Sequence, residues 1–302
     1  MLNLQRLTVL HELELRGSLA AVARALNYSP SAISQQIAQL EREIGIALTE
    51  PVGRGVRLTD AAEMLVRHTR IAIAALESAE SELAAASPNV SGRLRVACFQ
   101  SALLSLLPAA LETLDRDHPD LDLDIAQRDV DEAMSGLQAG SFDVVVGEEY
   151  PGASLLPRVG IERAEVGADE MVLALPEGEE WTGLDQLFDL AEAPWALDPA
   201  SSAPGRWARD LCMKAGFEPD VRFDGVDLLV HLQMVRAGYA IAIVPLILSP
   251  DWVSGVRIEA LPGAPKRQLF TLTREARSAH PAVIAFRRAL RLSFRGHQLN
   301  AT

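Results

Sequence analysis

Apolar residues recur every three or four positions in three successive segments of the first 48 residues. Leu4 to about Leu15 and Ser18 to Leu26 each fit a helix with one buried face. The third segment begins with Ser29, a good N-cap residue, and Pro30, which suits the first helical position. Its apolar residues then recur at steps of four, three and four, namely Ile33, Ile37, Leu40 and Ile44. The spacing predicts three short helices, each with one buried face.

The opposite face of the third helix carries short side chains that donate and accept hydrogen bonds. Side chains of this kind can reach base edges in a DNA major groove. The residues expected to contact DNA from this segment are Ser29, Ser31, Ser34, Gln35, Gln36 and Gln39. Two helices joined by a tight break at 27–29, with a polar outer face on the second, are typical of a helix-turn-helix. An ordinary three-helix corner with a solvated polar face fits the same helices.

A short hairpin is predicted directly after these helices. Glycines flank Arg54 at the tip of residues 52–59, and Arg57 stands on the return strand. A basic wing beside a recognition helix can grip the phosphate backbone. The hairpin therefore favours DNA binding over the ordinary corner, and it adds Arg54 and Arg57 to the expected DNA contacts.

Residues 1–60 resemble the DNA-binding end of LysR-type transcriptional regulators. The matching residues include Gly17-Ser18, Ser29-Pro30-Ser31-Ala32-Ile33-Ser34, Leu40-Glu41 and Gly53-Arg54-Gly55-Val56-Arg57-Leu58-Thr59. Pro51 stands where the family usually has an arginine near the wing. The resemblance implies a winged helix-turn-helix over 1–58 that reads a pseudo-palindromic promoter site on double-stranded DNA. It also implies a homodimer or homotetramer, with RNA polymerase as a further partner to consider.

A long helix without glycine or proline is predicted from Thr59 to Ala86. Two series spaced by sevens run along it, namely Ala62, Thr69, Leu76, Leu83 and Leu65, Ala72, Ala79, Ala86. Such series are typical of paired helices, and a single amphipathic helix lying on its own domain is the alternative. In the family this helix joins two subunits. The composition of residues 87–92 indicates a hinge, so residues 59–90 are interpreted as a linker helix and hinge.

Beyond residue 91, short apolar strands alternate with helical segments, which predicts a parallel sheet with helices on its faces. This region resembles the family's effector domain, which is built like a type 2 periplasmic binding protein. Matching runs include Gly92-Arg93-Leu94-Arg95-Val96 and Val235-Arg236-Ala237-Gly238-Tyr239. The resemblance divides it into subdomain I (91–165 and 268–302) and subdomain II (166–267), with an effector cleft between them. The predicted fold is thus α+β and multidomain.

Polar residues near the carboxyl ends of the predicted strands are the candidates for binding an effector, because ligands of open α/β sheets bind at that edge. These residues are Gln100, Ser101, Arg128, Ser201, Ser202 and Asp227. Arg128 suits a carboxylate or phosphate ligand. The alternative is that each is a solvated loop residue, and that Arg128 pairs with Asp129 or Asp131. The small-molecule effector is not identified by these residues.

The charge of the chain is distributed unevenly. The net charge is −13 over 302 residues, but residues 1–58 carry +1, so the remainder carries −14. A weakly basic head predicts that two heads are needed for tight DNA binding. The two cysteines, Cys98 and Cys212, form no CxxC motif. Cys98 has two interpretations, a redox sensor like that of some family members or a buried small apolar side chain.

Several classes of protein find little support in the sequence. No N-terminal signal segment is visible, and the longest apolar run, 240–248, is too short to span a bilayer, which predicts a cytoplasmic protein without a membrane partner. The six histidines form no metal-binding pair, and no phosphate loop or nucleophile elbow occurs. We therefore expect no catalytic residue, no metal and no cofactor, and hence no enzyme. A solute-binding protein would share the C-terminal fold, but it would need export.

Overall fold

The N-terminal head consists of three helices followed by a two-stranded hairpin. The computed structural model describes residues 2–26, 28–53, 55–153, 158–178 and 186–300. Within them the head comprises α1 (Leu4–Arg16), α2 (Leu19–Leu26), α3 (Pro30–Ile44), β1 (Thr49–Val52) and β2 (Gly55–Leu58). Leu10, Ile33 and Leu40 are fully buried between the helices, as their spacing predicts. β1 and β2 pair antiparallel with Thr49 opposite Leu58. The predicted helix-turn-helix and wing are confirmed.

The linker helix α4 (Asp60–Ala85) is capped by Thr59, whose hydroxyl oxygen accepts a hydrogen bond from the Ala62 N–H at 3.3 Å. Its first turns belong to the head, because Ala62 and Val66 are buried against Leu7 and Leu10 of α1. The first series spaced by sevens therefore does not form one continuous seam: its first members, Ala62 and Thr69, are buried within the chain. Farther along the helix the exposed apolar side chains are Ile71, Leu76 and Leu83.

The C-terminal region is built on one mixed sheet with helices packed against it. Its elements are β3 (Gly92–Cys98), α5 (Gln100–Ser105), α6 (Leu107–Asp117), β4 (Leu121–Gln127), α7 (Val130–Gln138), β5 (Val144–Glu149), β6 (Ile161–Leu175), β7 (Pro194–Leu197), α8 (Ala203–Lys214), β8 (Asp220–Asp224), α9 (Leu228–Arg236), β9 (Ile241–Pro245), α10 (Pro250–Val253), β10 (Arg257–Ala260), β11 (Lys266–Arg274) and α11 (Pro281–Asn300). The strand order is β4-β3-β5-β11-β6-β9-β7-β8, and β10 also pairs with β6.

Two strands carry the chain between the halves of this sheet. β3, β4 and β5 are parallel in one half, and β7, β8 and β9 are parallel in the other. β6 and β11 are antiparallel because one leaves the first half and the other returns to it. The predicted parallel pairing is therefore found among β3, β4 and β5 and among β7, β8 and β9, and it was wrong at β6, β10 and β11. The predicted division at 165/166 falls within β6, whose partner changes from β11 to β9 and β10 only after Glu170.

Each half has its own apolar core. Leu94, Phe286 and their neighbours fill the first, and Leu175 and Trp195 belong to the second. We keep the names subdomain I and subdomain II for the two halves, with the change of partner after Glu170 as their boundary. None of the helices in the described ranges is long and apolar enough to cross a membrane.

A helix that the sequence interpretation missed lies directly after β3. The apolar pattern predicts a helix from Ser105 to Asp115, whereas the chain forms α5 from Gln100 and then α6 from Leu107. Pro108 lies in the first turn of α6, where its missing N–H has no cost. Gln100 and Ser101 thus occupy the first turn of a helix rather than a loop, which fixes their backbone at the sheet edge.

Candidate functional site

The outer face of α3 presents free polar groups to solvent. Ser31, Ser34 and Gln35 are all exposed, and Gln36 is half-buried beside them. Across the described residues, the side chains of Ser34 and Gln35 form no hydrogen bond with any other group. Their hydrogen-bonding capacity is therefore available for an external partner.

Three other predicted contact residues of this helix, Ser29, Ser31 and Gln39, already form hydrogen bonds within the chain, and the hydroxyl groups of Ser29 and Ser31 bond to each other at 2.9 Å. The Ser29 hydroxyl oxygen accepts a hydrogen bond from the Ala32 N–H at 3.2 Å, and this interaction caps α3. The Gln39 amide group donates to Glu43 at 3.1 Å and accepts from Arg42 at 2.6 Å. Ser29, Ser31 and Gln39 therefore have fewer free hydrogen-bonding groups for an external partner than Ser34 and Gln35 have.

The wing is held against α3 by one carboxylate. Glu41 accepts hydrogen bonds from the N–H groups of Leu48 at 2.8 Å and Thr49 at 3.0 Å. Arg57 is exposed on the wing, and its Nε donates to Glu50 Oε1 at 2.8 Å. Arg54 lies outside the described residues. The structure thus brings Arg57 to the wing with an ion-pair partner on the neighbouring strand.

A cleft of about 630 Å³ opens between the two subdomains. Five of the six predicted effector contacts line it, namely Gln100, Ser101, Arg128, Ser201 and Ser202. Asp227 does not line the cleft, but it accepts a hydrogen bond from the Gln100 side-chain NH₂ at 2.8 Å. The rule that ligands bind at the carboxyl ends of strands therefore gathers residues that are distant in sequence around one cavity.

Gln100 spans the mouth between the subdomains. Its NH₂ donates to Asp227, and its carbonyl oxygen accepts the Leu228 N–H at 2.9 Å, so one side chain in subdomain I meets the start of α9 in subdomain II. The hydrogen bond from Gln100 is the main cause of a lowered pKa for Asp227. Gln100 is therefore a contact that must adjust whenever the subdomains move relative to each other.

The other predicted cleft residues have partners of their own. Ser202 caps α8, since its hydroxyl oxygen accepts from the Gly205 N–H at 3.1 Å, and Ser201 provides a backbone oxygen for Arg206. Arg128 pairs with Glu132 at 2.9 Å. The alternative that Arg128 pairs with Asp129 or Asp131 was therefore wrong, because the next turn of α7 presents Glu132 instead.

Sequence reasoning missed the group that lies deepest in the cleft, Arg267. Its side chain is 2% exposed, and it donates to Asp169 from Nε at 2.9 Å and to Ser101 Oγ from Nη2 at 2.9 Å. Nη1 donates to Glu148, and the guanidinium lies 5.3 Å from the centre of the Phe99 ring. The sequence feature that could have indicated Arg267 is a charged residue at the point where the chain returns to subdomain I.

Two further carboxyl groups and a phenol surround this end of the cleft. The Tyr150 hydroxyl donates to Glu148 Oε2 at 3.1 Å, and its ring packs 5.3 Å from that of Trp207 in subdomain II. Asp198 follows β7 on the opposite wall. Burial, and then the nearby charge of Glu148, raise the pKa of Asp198 to about 7. The floor of the cleft is therefore strongly polar and lies partly out of water.

The opposite end of β11 reaches the linker helix. Arg274 Nε donates to Glu77 of α4 at 2.7 Å, and Arg274 Nη1 donates to the backbone oxygens of Leu137 and Phe142. The Ser81 hydroxyl donates to the Ala276 backbone oxygen at 3.1 Å. One strand thus touches the cleft at Arg267 and the linker helix at Arg274.

The cysteines belong to different cores. Cys98 is fully buried in the core of subdomain I, and Cys212 is fully buried in the core of subdomain II. Burial raises the pKa of both thiols above the usual range, to about 12 for Cys212. A neutral buried thiol reacts slowly, so this environment favours a packing role for Cys98.

Comparison with known proteins identifies the class to which this arrangement belongs. Residues 4–63 match the family model of the bacterial regulatory helix-turn-helix protein, lysR family. Residues 88–295 match the family model of the LysR substrate binding domain. A helix-turn-helix followed by a substrate-binding domain defines a DNA-binding transcriptional regulator. The chain belongs to the LysR family, whose members are regulators and not enzymes.

Similar proteins cover most of the chain. The HTH-type transcriptional regulator ClcR of Pseudomonas putida is 30% identical over 245 residues, or 78% of this chain and 81% of the relative. MetR of Escherichia coli is 26% identical and covers 96% of this chain and 90% of its own length. The solved structure of a full-length OxyR variant from Pseudomonas aeruginosa has a TM-score of 0.71 at 16% identity, covering 97% of this chain and 95% of that one. Full-length CbnR complexed with its target DNA has a TM-score of 0.54 at 24% identity, covering 96% and 99%.

Proposed function

We propose that the regulator reads its DNA site mainly through the exposed face of α3. The observation that supports this assignment is that Ser34 and Gln35 are exposed and have free hydrogen-bonding groups within the described residues. Ser31, Gln36 and Gln39 extend the same face. Ser29 caps the helix that presents them and borders the phosphate backbone, while Arg54 and Arg57 contact phosphates from the wing.

Two heads read the two halves of a pseudo-palindromic promoter site in a homodimer or a homotetramer. The exposed apolar residues Leu76 and Leu83 of α4 support helix pairing, because they are seven residues apart on one helix face and both lie in solvent. The small positive charge of a single head also favours two heads, since each makes few phosphate contacts. Such an assembly acts in the cytoplasm and contacts RNA polymerase at the promoter.

A small molecule in the cleft controls the spacing of the heads. It binds one arrangement of the subdomains better than another, and this difference in affinity is what shifts the equilibrium between them. Gln100 supports this assignment because it bonds to α9 across the mouth of the cleft. Ser101, Arg128, Ser201 and Ser202 orient the ligand, and Asp227 holds Gln100 in place.

The experiment that tests the DNA-binding part is fluorescence anisotropy with a duplex from the upstream region of the gene and with a scrambled duplex. The full-length protein is measured at two salt concentrations. We expect tighter binding to the native duplex, weakening with salt because phosphate contacts release counterions. Equal binding to both duplexes would contradict sequence-specific reading.

A pair of matched variants separates the reading face from the rest of the protein. Gln35→Ala removes a candidate base contact and should weaken binding to the native duplex by about 1–3 kcal/mol, roughly 5- to 150-fold. Gln233→Ala removes an exposed glutamine of α9 and should leave DNA binding unchanged. A Gln35 variant that binds the native duplex as tightly as wild type would exclude Gln35 from the reading face.

The cleft part is tested by adding metabolites to the same anisotropy assay. A compound that binds the protein and changes its affinity for the native duplex supports effector control. The alternative of a solute-binding protein predicts ligand binding without any change in DNA affinity. A broad screen in which no compound changes DNA binding would contradict the switch.

A further inference from the structure

The deep end of the cleft holds more negative than positive charge. Six carboxyl groups and three guanidinium groups line the cavity, namely Asp129, Asp131, Glu132, Glu148, Glu149 and Asp198 against Arg128, Arg206 and Arg267. Outer groups are paired locally, since Arg128 binds Glu132 and Glu149 binds Arg163. Asp129 and Asp131 are exposed at the rim, so Glu148 and Asp198, beside Arg267, are the carboxyl groups that remain in the interior of the cleft.

Arg267 has no spare charge to offer an anionic ligand. Asp169, which is 5% exposed, accepts from it on one side, and Glu148, which is 13% exposed, accepts on the other. Its remaining contact, to Ser101, occupies Nη2 together with Asp169. Arg267 lies among three buried or partly buried carboxylates, namely Asp169, Glu148 and Asp198, and Arg209 is a second cation close to Asp198, whose backbone oxygen accepts from it at 2.6 Å. Two cations against three carboxylates leave the floor of the cleft net negative when all three are ionised.

Glu148 and Asp198 come from opposite subdomains. Glu148 is on β5 in subdomain I, and Asp198 follows β7 in subdomain II. After burial, the charge of Glu148 is the next cause of the raised pKa of Asp198, and both carboxylates contribute to the raised pKa of the buried Tyr150 hydroxyl. In the described residues the carboxylate of Asp198 has no side-chain hydrogen-bond donor. Two carboxylates on opposite walls oppose closure of the cleft. Their repulsion increases as the distance between them shortens and as water is excluded from the space between them.

We propose that the effector is a cationic small molecule, a primary amine or a guanidine, whose charged group binds between Glu148 and Asp198. This inference rests on the proposed function, which assigns the cleft as the effector site. The position of the site follows from the cavity and from the match to the family's substrate-binding domain. The positive charge of the ligand is inferred from the carboxylates.

The remaining walls suit the uncharged part of such a ligand. Phe99, Tyr150, Met171 and Trp207 line the cavity and offer apolar surface for a hydrocarbon stem or ring. Ser201 and Ser202 provide polar groups at the side of α8. A cation between the two subdomains replaces repulsion with two charge-assisted hydrogen bonds, so it favours the closed arrangement over the open one.

A proton competes with this cation for Asp198. Because the pKa of Asp198 is about 7, most of the carboxyl group is protonated at pH 6 and most is ionised at pH 8. The cation binds the ionised form, so its affinity should rise about tenfold between pH 6 and pH 8 and a proton should be released on binding. An anionic or neutral ligand would show no such increase.

The experiment is a fragment screen of the full-length protein in matched sets that share a shape and differ in charge. One set is benzylamine, benzyl alcohol and benzoate, and another is 1,5-diaminopentane, 1,5-pentanediol and glutarate, with agmatine as a guanidine. Binding is measured by calorimetry at pH 6 and pH 8, and DNA affinity by anisotropy. We expect the amines or agmatine to bind and the alcohols and carboxylates to fail.

Matched variants locate the bound cation. Asp198→Asn should weaken binding of the cationic fragments about 10- to 100-fold and abolish the pH dependence, because one charge-assisted hydrogen bond is lost. Asp210→Asn removes an exposed carboxylate of α8 that does not line the cleft, and it should change affinity by less than about twofold. Tryptophan fluorescence and gel filtration establish that both variants are folded.

The outcomes distinguish a failure of the cationic assignment from a failure of effector control itself. Cationic fragments that bind wild type, lose affinity in the Asp198→Asn variant and alter DNA binding support the proposal. Carboxylates or alcohols that bind and alter DNA affinity, or cations that bind Asp198→Asn as tightly as wild type, overturn the cationic assignment and leave effector control intact. No effect of any compound on DNA binding overturns both.

Discussion

Replacing Arg267 by methionine would test how the floor of the cleft is stabilised. The substitution keeps an unbranched side chain of similar length and removes the guanidinium. Asp169 then loses its two contacts to Arg267 at 2.7 and 2.9 Å, and it retains the Ile247 N–H at 2.9 Å. Glu148 loses its guanidinium partner and retains the Tyr150 hydroxyl. Two carboxylates are thus left out of water without the counter-charge that held them.

The expected cost follows from the burial of these groups. Removing one partner of a buried ion pair lowers the free energy of unfolding by about 3–5 kcal/mol, because the remaining charge is left uncompensated. Burial already raises the pKa of Asp169 in the wild type, although Arg267 opposes the effect. We therefore expect a loss of about 3–5 kcal/mol at pH 8, mostly from Asp169.

The loss should depend on pH with a definite sign. Without Arg267 the pKa of Asp169 in the folded state rises further above its value in the unfolded chain, because burial raises it and Arg267 no longer opposes that effect. A carboxyl group of this kind binds a proton more tightly when folded, so folding becomes more favourable as the pH falls. The difference between variant and wild type should therefore be largest at pH 8 and should shrink toward pH 5.

Urea unfolding followed by tryptophan fluorescence provides the assay. All four tryptophans lie between residues 181 and 252, so their fluorescence reports on the C-terminal region and not on the head. Arg222→Met is the matched control. Arg222 is 65% exposed and pairs with Asp220 at 2.7 Å on an edge strand, and loss of such a surface pair costs about 1 kcal/mol or less. A loss at Arg267 no larger than at Arg222, or equal at pH 5 and pH 8, would refute the reasoning.

Three further measurements follow from the same structure. Glu50→Gln releases Arg57 from its ion pair, so DNA affinity should increase in anisotropy and its salt dependence should steepen by about one counterion; an unchanged slope would mean that Arg57 does not contact phosphate. Asp198→Asn should raise the melting temperature at pH 8 and have no effect near pH 4, because the raised pKa of Asp198 destabilises the fold only where the carboxyl group is ionised. Cys98 and Cys212 should resist a thiol reagent in the native protein and react in urea, and labelling of the native protein would exclude the burial described above.

The head could be predicted from the sequence because its signals are local. The signals for α3 lie within a few residues of one another and all favour the same helix. They are the capping residue Ser29, Pro30 in the first turn, and the spacing of Ile33, Ile37 and Leu40. The wing followed for the same reason, since Gly53 and Gly55 flank its turn. Exposure of Ser34 and Gln35 was then fixed by geometry, because the opposite face had to be buried.

The floor of the cleft could not be predicted because its contacts are distant along the chain. Arg267 is separated from Ser101 by 166 residues, from Glu148 by 119 and from Asp169 by 98. No periodicity connects these positions. The general rule for strand ends found Gln100, Ser201 and Ser202, which follow strands or open helices. The rule did not find Arg267, because it considers residues at the carboxyl ends of strands and Arg267 lies near the start of β11.

The placement of β11 has a consequence for genetics. Arg267 and Arg274 are seven positions apart on one extended strand, a distance of roughly 24 Å at about 3.4 Å per residue. No loop interrupts this segment, and its irregularity lies between Leu269 and Phe270, where the pairing with β6 shifts. Mutants that respond without ligand, or ignore it, should therefore cluster along a line through the middle of the sheet. Many would alter residues that touch neither the small molecule nor the DNA.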